Sequence, residues 1–264
     1  MKTEYNGRFI TAVTIVLLIF MVAPLVVVVA LSITPSKLAM FPPTGFTLEW
    51  YAKVLATEKF RHSFMVSASL AAGATILSLV IGTPAAMAIN KNVLPGSRLI
   101  ETLLLSPMIL PILITGLALF QFMAAQGMRS TGWNLLIGHA IITLPYMMRT
   151  VTASLKQIDH SLEEAASTLG APPLTVFFKV TVPQIAPGIL AGCLFAFMIS
   201  FDDFPISLWL ADARIEPLPI YLHHQMSTVF DPSIAAMSAL MIATGIIVVI
   251  LLEKLVGLRK AMGV

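Results

Sequence analysis

The sequence predicts an all-α membrane protein that crosses the bilayer about six times. Of its 264 residues, 58% are hydrophobic and only 11% are charged, whereas a soluble domain carries about 25% charged residues. So few ionised groups cannot cover a water-exposed surface, but a bilayer can serve as the solvent instead. One helical span needs about 20 apolar residues, so six spans would use roughly half of the chain. We therefore treat residues 1–264 as a single transmembrane domain.

Six apolar runs define the predicted spans, at 9–33, 63–89, 100–124, 133–152, 186–210 and 233–252. The first run is longer than the core of a signal peptide, and no Ala-x-Ala cleavage site follows it, so we interpret it as an uncleaved span. Pro107 and Pro111 in the third run, and Pro145 in the fourth, predict bent helices. The second run carries small residues at every fourth position, which predicts close packing against another helix; these are Ala74, Ser78, Gly82 and Ala86.

The distribution of lysine and arginine predicts the orientation of the chain. With a cytoplasmic N-terminus, the inner segments carry Lys2, Arg8, Lys91, Arg98, Arg149, Lys156, Lys179, Lys254, Arg259 and Lys260. The outer segments then carry Lys37, Lys53, Lys59, Arg61, Arg129 and Arg214. Because basic residues are enriched on the cytoplasmic side, we expect both termini, and the segment 161–183, to lie in the cytoplasm.

The sequence lacks the common motifs of catalysis and of metal binding. It contains no G-x-x-x-x-G-K-[ST], and hence no P-loop of its own, and no H-E-x-x-H. The single cysteine, Cys193, has no partner for an intrachain disulfide. We interpret the five histidines as interfacial or core residues; they are His62, His139, His160, His223 and His224. We expect a non-enzymatic protein without a cofactor, a metal or a nucleic-acid partner.

The segment Ser161–Pro183 predicts two short helices on either side of a glycine. Its first four residues read Ser-Leu-Glu-Glu, a capping box, so we expect Ser161 to cap the first helix. Gly170 is the residue type that commonly follows a helix C-terminus. A second helix is predicted at Leu174–Val180, with Pro183 ending it. This much defined structure exceeds what a connection between two spans requires, which indicates a contact surface for a partner.

The same segment resembles the EAA signature of the permeases of ABC importers. Glu164-Ala-Ala is followed by three residues, Gly170, nine residues and Val180-Thr-Val-Pro183; the two valines replace the isoleucine and leucine of the family. The resemblance extends over nearly the whole chain and is strongest to the spermidine/putrescine permease family, in its PotC-like subunit. The further stretches that carry it are Phe41–Tyr51, Leu144–Tyr146, Ser200–Phe204 and Leu218–Tyr221.

The resemblance implies a bacterial inner-membrane permease subunit with three kinds of protein partner. A second, PotB-like permease would complete the translocation pathway, a cytoplasmic ABC ATPase dimer would bind and hydrolyse ATP, and a periplasmic solute-binding protein would deliver the solute. In that family the EAA segment forms coupling helices that sit in a groove of the ATPase. The residues so assigned to ATPase coupling are Glu163, Glu164, Ala165, Ala166, Leu169, Gly170 and Pro183.

Asp202 and Asp203 are the carboxylates of interest in the apolar fifth span. Ionisable groups at membrane depth are costly and usually face a cavity or a partner. They could attract a cationic solute along the pathway, with Trp209 as a further candidate. Alternatively, one aspartate could cap a broken helix just before Pro205. Adjacent positions on a helix point about 100° apart, so at most one aspartate would face the pathway squarely.

A polyamine such as spermidine or putrescine is the cargo that the resemblance favours. The alternatives within the class are an opine, an amino-acid derivative, a phosphonate or ferric iron. Two alternatives of other classes are a self-sufficient secondary transporter and a membrane scaffold without transport. The elaborate segment 161–183, and the lack of a visible inverted repeat, favour the ATP-driven importer.

Overall fold

The computed structural model describes residues 7–37, 41–91, 95–228 and 231–256. In these ranges the regular structure is entirely helical, which confirms the predicted all-α class. The α-helices are α1 Gly7–Ser32, α2 Glu49–Ala56, α3 Glu58–Asn90, α4 Ser97–Leu105, α5 Ile112–Ala125, α6 Thr131–Leu155, α7 His160–Thr168, α8 Pro173–Val176, α9 Val182–Phe201, α10 Pro205–Leu210, α11 Leu218–Thr228 and α12 Ser233–Val256. A 3₁₀ turn covers Ser106–Met108, and a π-helical segment covers Phe177–Thr181.

Five described helical segments are long and apolar enough to cross a membrane, namely Phe9–Ser32, Glu58–Asn90, Thr131–Leu155, Pro173–Phe201 and Ser233–Lys254. A sixth crossing results if the bent pair Ser97–Met108 and Ile112–Ala125 counts as one span. The prediction of about six spans is therefore confirmed.

The third and fifth predicted spans differ from the continuous runs 100–124 and 186–210. In the third, α4 and α5 meet at an angle of 105°. Pro107 lies in the 3₁₀ turn, and Pro111 immediately precedes α5, where a residue without an N–H interrupts helical hydrogen bonding. In the fifth, the helix begins well before residue 186 and ends at Phe201, so that α10 is a separate helix.

The described residues of 1–61 and 222–244 form one compact unit, and those of 62–221 and 245–264 form another. In the first unit, the buried indole of Trp50 donates a hydrogen bond of 2.7 Å to the Thr34 carbonyl, which fixes α2 beside the end of α1. Lys53 on α2 forms a 2.6 Å ion pair with Asp231. The Asp231 carboxylate also accepts the backbone N–H of Ser233 and so caps α12.

The second unit is built around α6, which packs along α9. A Cβ added at Gly188 would lie 2.6 Å from the Thr150 carbonyl oxygen, and one at Gly192 would lie 2.5 Å from Met147 Sδ. Both glycines therefore permit a backbone approach that a larger residue would prevent, as is common between membrane helices.

The predicted small-residue stripe on α3 is confirmed, and it also faces α6. Ala74, Ser78, Gly82 and Ala86 are all buried. A Cβ at Gly82 would lie 3.1 Å from Met147 Cγ. Through these contacts, α6 is held between two other spans and fixes their spacing.

Candidate functional site

The first helix of the EAA segment, residues 161–183, is capped two residues upstream of the predicted position. Asp159 is the cap residue of α7, and its side chain accepts the backbone N–H of Ser161 at 2.9 Å. Hydrogen bonding from the Ser161 side chain, together with this bond from its backbone N–H, lowers the pKa of Asp159 below its usual value. The prediction that Ser161 caps the helix was wrong, because the aspartate two residues earlier has the extended backbone of a cap while Ser161 lies inside the first turn.

The turn after α7 forms as predicted at Gly170. Gly170 has a φ of +83°, in the left-handed region that favours glycine. Its N–H donates to the Ser167 carbonyl at 3.0 Å, and the N–H of Ala171 donates to the Ala166 carbonyl at 3.1 Å. These two bonds make a Schellman motif. A Cβ at Gly170 would meet nothing within 4 Å, so the backbone conformation, and not space, requires the glycine.

The second helix of the segment does not end at Pro183, which corrects the prediction. Pro173 begins α8 as expected, but α8 passes into the π-helical segment and then directly into α9. The Val182 N–H donates to the carbonyl of Phe177, five residues back. Pro183 then occupies the first turn of α9, a position where its missing N–H is tolerated.

The continuous helix Pro173–Phe201 has 29 residues, hereafter the long helix. At 1.5 Å per residue it is about 44 Å long. It therefore connects the EAA segment to the far end of the fifth span without an intervening loop.

Glu163 attaches α7 to two other elements. Its Oε1 accepts a 2.5 Å hydrogen bond from the buried Thr181 hydroxyl. Its Oε2 lies 3.4 Å from Lys91 Nζ, just after α3, and 3.6 Å from His160 Nδ1. The Thr181 hydrogen bond, followed by the charge of Lys91, lowers the pKa of Glu163. Glu163 therefore points into the protein, where it fixes the position of α7.

Glu164 differs from its neighbour, because its side chain is exposed and has no hydrogen-bond or ion-pair partner among the described residues. The other predicted coupling residues also lie largely at the surface. Ala165 and Pro183 are exposed, and Ala166 is half-buried. Leu169 is 88% exposed.

Large apolar side chains accompany Glu164 on the surface of the EAA segment. Leu169, Leu174, Leu162 and Phe178 are all exposed. A segment that carries an exposed charge beside this much exposed apolar surface has the features of an interaction site.

A second group of predicted residues lies at the other end of the long helix. The helix ends at Phe201, and Pro205 begins α10. The Asp203 carboxylate accepts the backbone N–H groups of Ile206 at 2.9 Å and Ser207 at 3.1 Å, and it thereby caps α10. Asp203 is only 5% exposed, whereas the neighbouring Asp202 is exposed.

His139, on α6, joins the two sides of this break. The imidazole is buried, with Nδ1 2.8 Å from Ser200 Oγ and Nε2 3.2 Å from Ser207 Oγ. Nε2 also lies 3.9 Å from Asp203 Oδ2. One side chain therefore contacts the end of α9, the cap of α10 and α10 itself.

The hydrogen-bonded network continues from His139 toward α3. The Thr143 hydroxyl donates to the His139 carbonyl at 2.8 Å, and it lies 2.8 Å from Ser78 Oγ. The sequence predicted His139 only as an interfacial or core residue, and its connecting role was missed. No local pattern signalled that role, because the hydrogen-bond partners that a buried histidine requires lie 61 and 68 residues away in the sequence.

Trp209, the remaining predicted pathway residue, lies on α10 and packs against α5. Its ring centroid is 6.5 Å from that of Phe120, and a Cβ at Gly116 would lie 2.8 Å from Trp209 Cδ1. The indole Nε1 is buried without a hydrogen-bond partner in the described part of the chain. The structure thus groups Asp202, Asp203 and Trp209 at the break and the EAA residues at the opposite end of the long helix.

The described residues thus combine apolar helices long enough to cross a membrane with the exposed EAA segment, as expected of an integral membrane protein with a docking surface. Residues 74–261 match the family described as the binding-protein-dependent transport system inner membrane component. The chain belongs to this family. It is a permease subunit of an ABC importer.

Two curated relatives cover most of the chain. It is 30% identical over 237 residues to the putrescine transport system permease protein PotI of Escherichia coli strain K12, covering 86% of this chain and 84% of that protein. It is 25% identical over 258 residues to the spermidine/putrescine transport system permease protein PotC of the same strain, covering 98% and 96%.

A solved structure shows the same fold. The crystal structure of a bacterial ABC transporter involved in the import of the acidic polysaccharide alginate matches with a TM-score of 0.70 and 20% identity. The match covers 96% of this chain and 98% of that one. A shared fold does not specify the cargo, which has to be argued from the chain's own residues.

Proposed function

We propose that this chain is the PotC-like half of a polyamine importer, with putrescine or spermidine as its cargo. A PotB-like permease subunit completes the pathway, and a periplasmic binding protein delivers the solute. The observation that carries the cargo assignment is a pair of carboxylates, Asp202 and Asp203, at the break in the fifth span. The similarity to PotI and PotC supports the same class of solute.

The two carboxylates have different parts in this proposal. Asp203 Oδ2 is occupied by two backbone N–H groups of α10, so this residue sets the position of the break. Asp202 is exposed and has no side-chain hydrogen bond among the described residues, so it is available to a primary ammonium, which has three donors and no acceptor. Trp209, on α10, remains a further candidate for the pathway, because aromatic rings attract cations.

The EAA segment is the proposed site for the cytoplasmic ATPase dimer. Glu164 supplies an unpaired charge, and Leu169 and Leu174 supply apolar surface, 88% and 73% exposed respectively. The ATP belongs to the ATPase, and this chain contributes no catalytic group. With this segment in the cytoplasm, both termini are cytoplasmic as well; residues 1–6 and 257–264 lie outside the described residues.

Coupling follows from the continuity of the long helix. When the ATPase subunits close, α7 and α8 move with the groove that holds them. Because no loop separates Pro173 from Phe201, the displacement reaches the break in the fifth span instead of being absorbed. Glu163 keeps α7 attached to the same helix through Thr181, so the two parts move together, as rigid-body switching requires.

Reconstitution tests this function directly. The chain is purified with the permease, ATPase and binding protein encoded beside it and placed in proteoliposomes that contain ATP. We expect uptake of radiolabelled putrescine that competes with spermidine and depends on the binding protein. A neutral solute of similar size serves as the control. If the complex takes up no polyamine while another solute stimulates its ATPase, the proposed cargo is wrong. If no ATPase associates with the chain, its proposed role in an ATP-driven importer is wrong.

A further inference from the structure

A cavity of about 390 Å³ lies where α3, α4 and α6 approach one another, close to the EAA segment. Its apolar wall includes Ile89, Leu105 and Met148. Its polar wall includes Glu101, Arg149 and Lys156. The site therefore combines hydrocarbon contact with charge, which is unlike the uniformly apolar grooves between membrane helices.

The cations of the cavity share one face of α6. Arg149, Thr152 and Lys156 are separated by three and four residues, which is the spacing of neighbours along a helix face. The side chains of Arg149 and Lys156 have no hydrogen-bond or ion-pair partner within the described ranges. Two cations and one carboxylate among the lining residues leave an excess positive charge, so the cavity suits an anion and disfavours the cationic cargo proposed for the pathway.

The position of the cavity across the thickness of the membrane is indicated by α4, which forms one of its walls. Leu99 and Leu103 of this helix are 65% and 62% exposed, while Ile100 and Leu104 pack on the core of the unit. The helix meets α5 at 105° and therefore does not continue the direction of that helix. Arg98 and Glu101 lie in the first half of α4, and charged side chains of a span are expected near its ends, so the cavity opens at headgroup depth.

We propose that this cavity binds the headgroup of an anionic phospholipid. The phosphate lies between Arg149 and Lys156, the Thr152 hydroxyl donates to it, and the start of the acyl chains contacts Leu105. Glu101 accepts a hydrogen bond from a headgroup hydroxyl, which selects phosphatidylglycerol over phosphatidic acid. Basic pockets between membrane helices on the cytoplasmic side are suited to such lipids. The assignment to the cytoplasmic leaflet rests on the orientation in the proposed function.

A lipid bound in this cavity would lie close to the EAA segment and would affect the coupling of this segment to the membrane helices. Lys156 lies three residues before Asp159, the cap of α7. A phosphate held by Lys156 therefore fixes the end of α6 from which the EAA segment departs.

Native mass spectrometry of the purified full chain tests the site. The probes are phosphatidylglycerol, phosphatidic acid and phosphatidylcholine, each added to delipidated chain in detergent. The variant is Arg149→Gln combined with Lys156→Gln, and the matched control is Lys254→Gln, an exposed cation outside the cavity. Each basic residue near an anionic headgroup changes binding about fivefold, so we expect roughly 30-fold weaker phosphatidylglycerol binding by the double variant and unchanged binding by the control.

Further measurements distinguish the phosphate of a lipid headgroup from free inorganic phosphate. Millimolar inorganic phosphate should leave the lipid bound; complete displacement would identify a free-anion site and overturn the lipid assignment. Equal binding of phosphatidylcholine, or equal binding by the double variant, would also overturn it. Glu101→Gln should reduce the preference for phosphatidylglycerol over phosphatidic acid. Because lipid binding is measured on the chain alone, its outcome is independent of polyamine uptake, and either proposal can fail without the other.

Discussion

The Thr181 hydroxyl donates a 2.5 Å hydrogen bond to Glu163, across 18 residues of sequence. This bond joins α7 to the π-helical segment of the long helix. Replacement of Thr181 by valine keeps the shape and removes the donor, so the free energy of unfolding should fall by about 1 to 2 kcal/mol. Thermal unfolding of the purified chain measures the loss. Thr168→Val is the matched control, since that hydroxyl bonds only to a carbonyl within α7; an equal loss in both variants would contradict a special role for Thr181.

The same carboxylate predicts a pH dependence. Folding lowers the pKa of Glu163 below its reference value of 4.5, so the folded state favours the ionised form. Its contribution to stability is therefore fully present above about pH 4.5 and is lost as the pH falls through the lower folded value. The difference in melting temperature between wild type and Glu163→Gln should shrink across that window. A difference that stays constant or grows on acidification would contradict the sign.

The exposed carboxylate of Glu164 is expected to act in docking and not in folding. Glu164→Lys reverses a charge that has no partner in the described structure, so membrane insertion and melting temperature should be unchanged. Uptake by the assembled importer should fall at least about tenfold, because about 1.4 kcal/mol of lost docking energy corresponds to that factor. Glu253→Lys, at an exposed position near the end of α12, is the control. Normal uptake by Glu164→Lys would exclude the docking role.

Gly170 should tolerate asparagine but not proline. Proline cannot adopt a φ of +83° and would lose the hydrogen bond to Ser167, whereas asparagine enters the left-handed region at modest cost. We expect Gly170→Pro to insert normally but to separate ATP hydrolysis from uptake. Gly170→Asn should retain most of both activities. The ratio of solute transported to ATP hydrolysed measures the effect. An unchanged ratio in the proline variant would show that coupling does not require the left-handed turn at Gly170.

Replacement of Asp202 and replacement of Asp203 should have different effects on the uptake of cationic and neutral solutes. Asp202→Asn removes the exposed charge and should raise the KM for putrescine by about tenfold while sparing a neutral analogue, if one is transported. Asp203→Asn retains an oxygen that can cap α10 and should have a smaller effect on KM, whereas Asp203→Ala should lower the amount of folded protein. Equal losses for cationic and neutral solutes would favour a purely architectural role for both residues.

His139 should stabilise the arrangement of α9 and α10 at the break in the fifth span. His139→Ala leaves Ser200 and Ser207 without their shared partner, and each unsatisfied buried group costs about 1 to 3 kcal/mol. His139→Asn can replace one of the two contacts. We expect the maximal uptake rate to fall strongly in the alanine variant and partly in the asparagine variant, with KM little changed. A change confined to KM would instead place His139 in contact with the solute.

Local chemistry made parts of the fold predictable from sequence. The scarcity of charge and the lengths of the apolar runs were sufficient to identify the spans. Gly170 was found because a left-handed turn depends on one residue type at one position. The cap at Ser161 was misplaced because two nearby polar residues can begin the helix, and the choice depends on where the chain leaves α6.

The remaining features depend on residues that are distant in sequence. Pro183 normally signals a helix end, but the change from π-helical to α-helical hydrogen bonding accommodates it. The contacts of His139 to Ser200 and Ser207 span 61 and 68 residues, so no local pattern could reveal them. The separate orientations of Glu163 and Glu164 depend on the position of Thr181 and Lys91 around α7.

The unbroken helix from Pro173 to Phe201 also fixes how the residues at its two ends are oriented about the helix axis. Each residue of a helix adds 1.5 Å and rotates the next residue by about 100° around the axis. Insertion of a single residue would therefore turn Asp202 to a different side of the bundle relative to Glu164, even if every local contact survived. The number of residues between Gly170 and the break thus sets the rotation about the helix axis that separates the proposed docking surface from the carboxylates at the break.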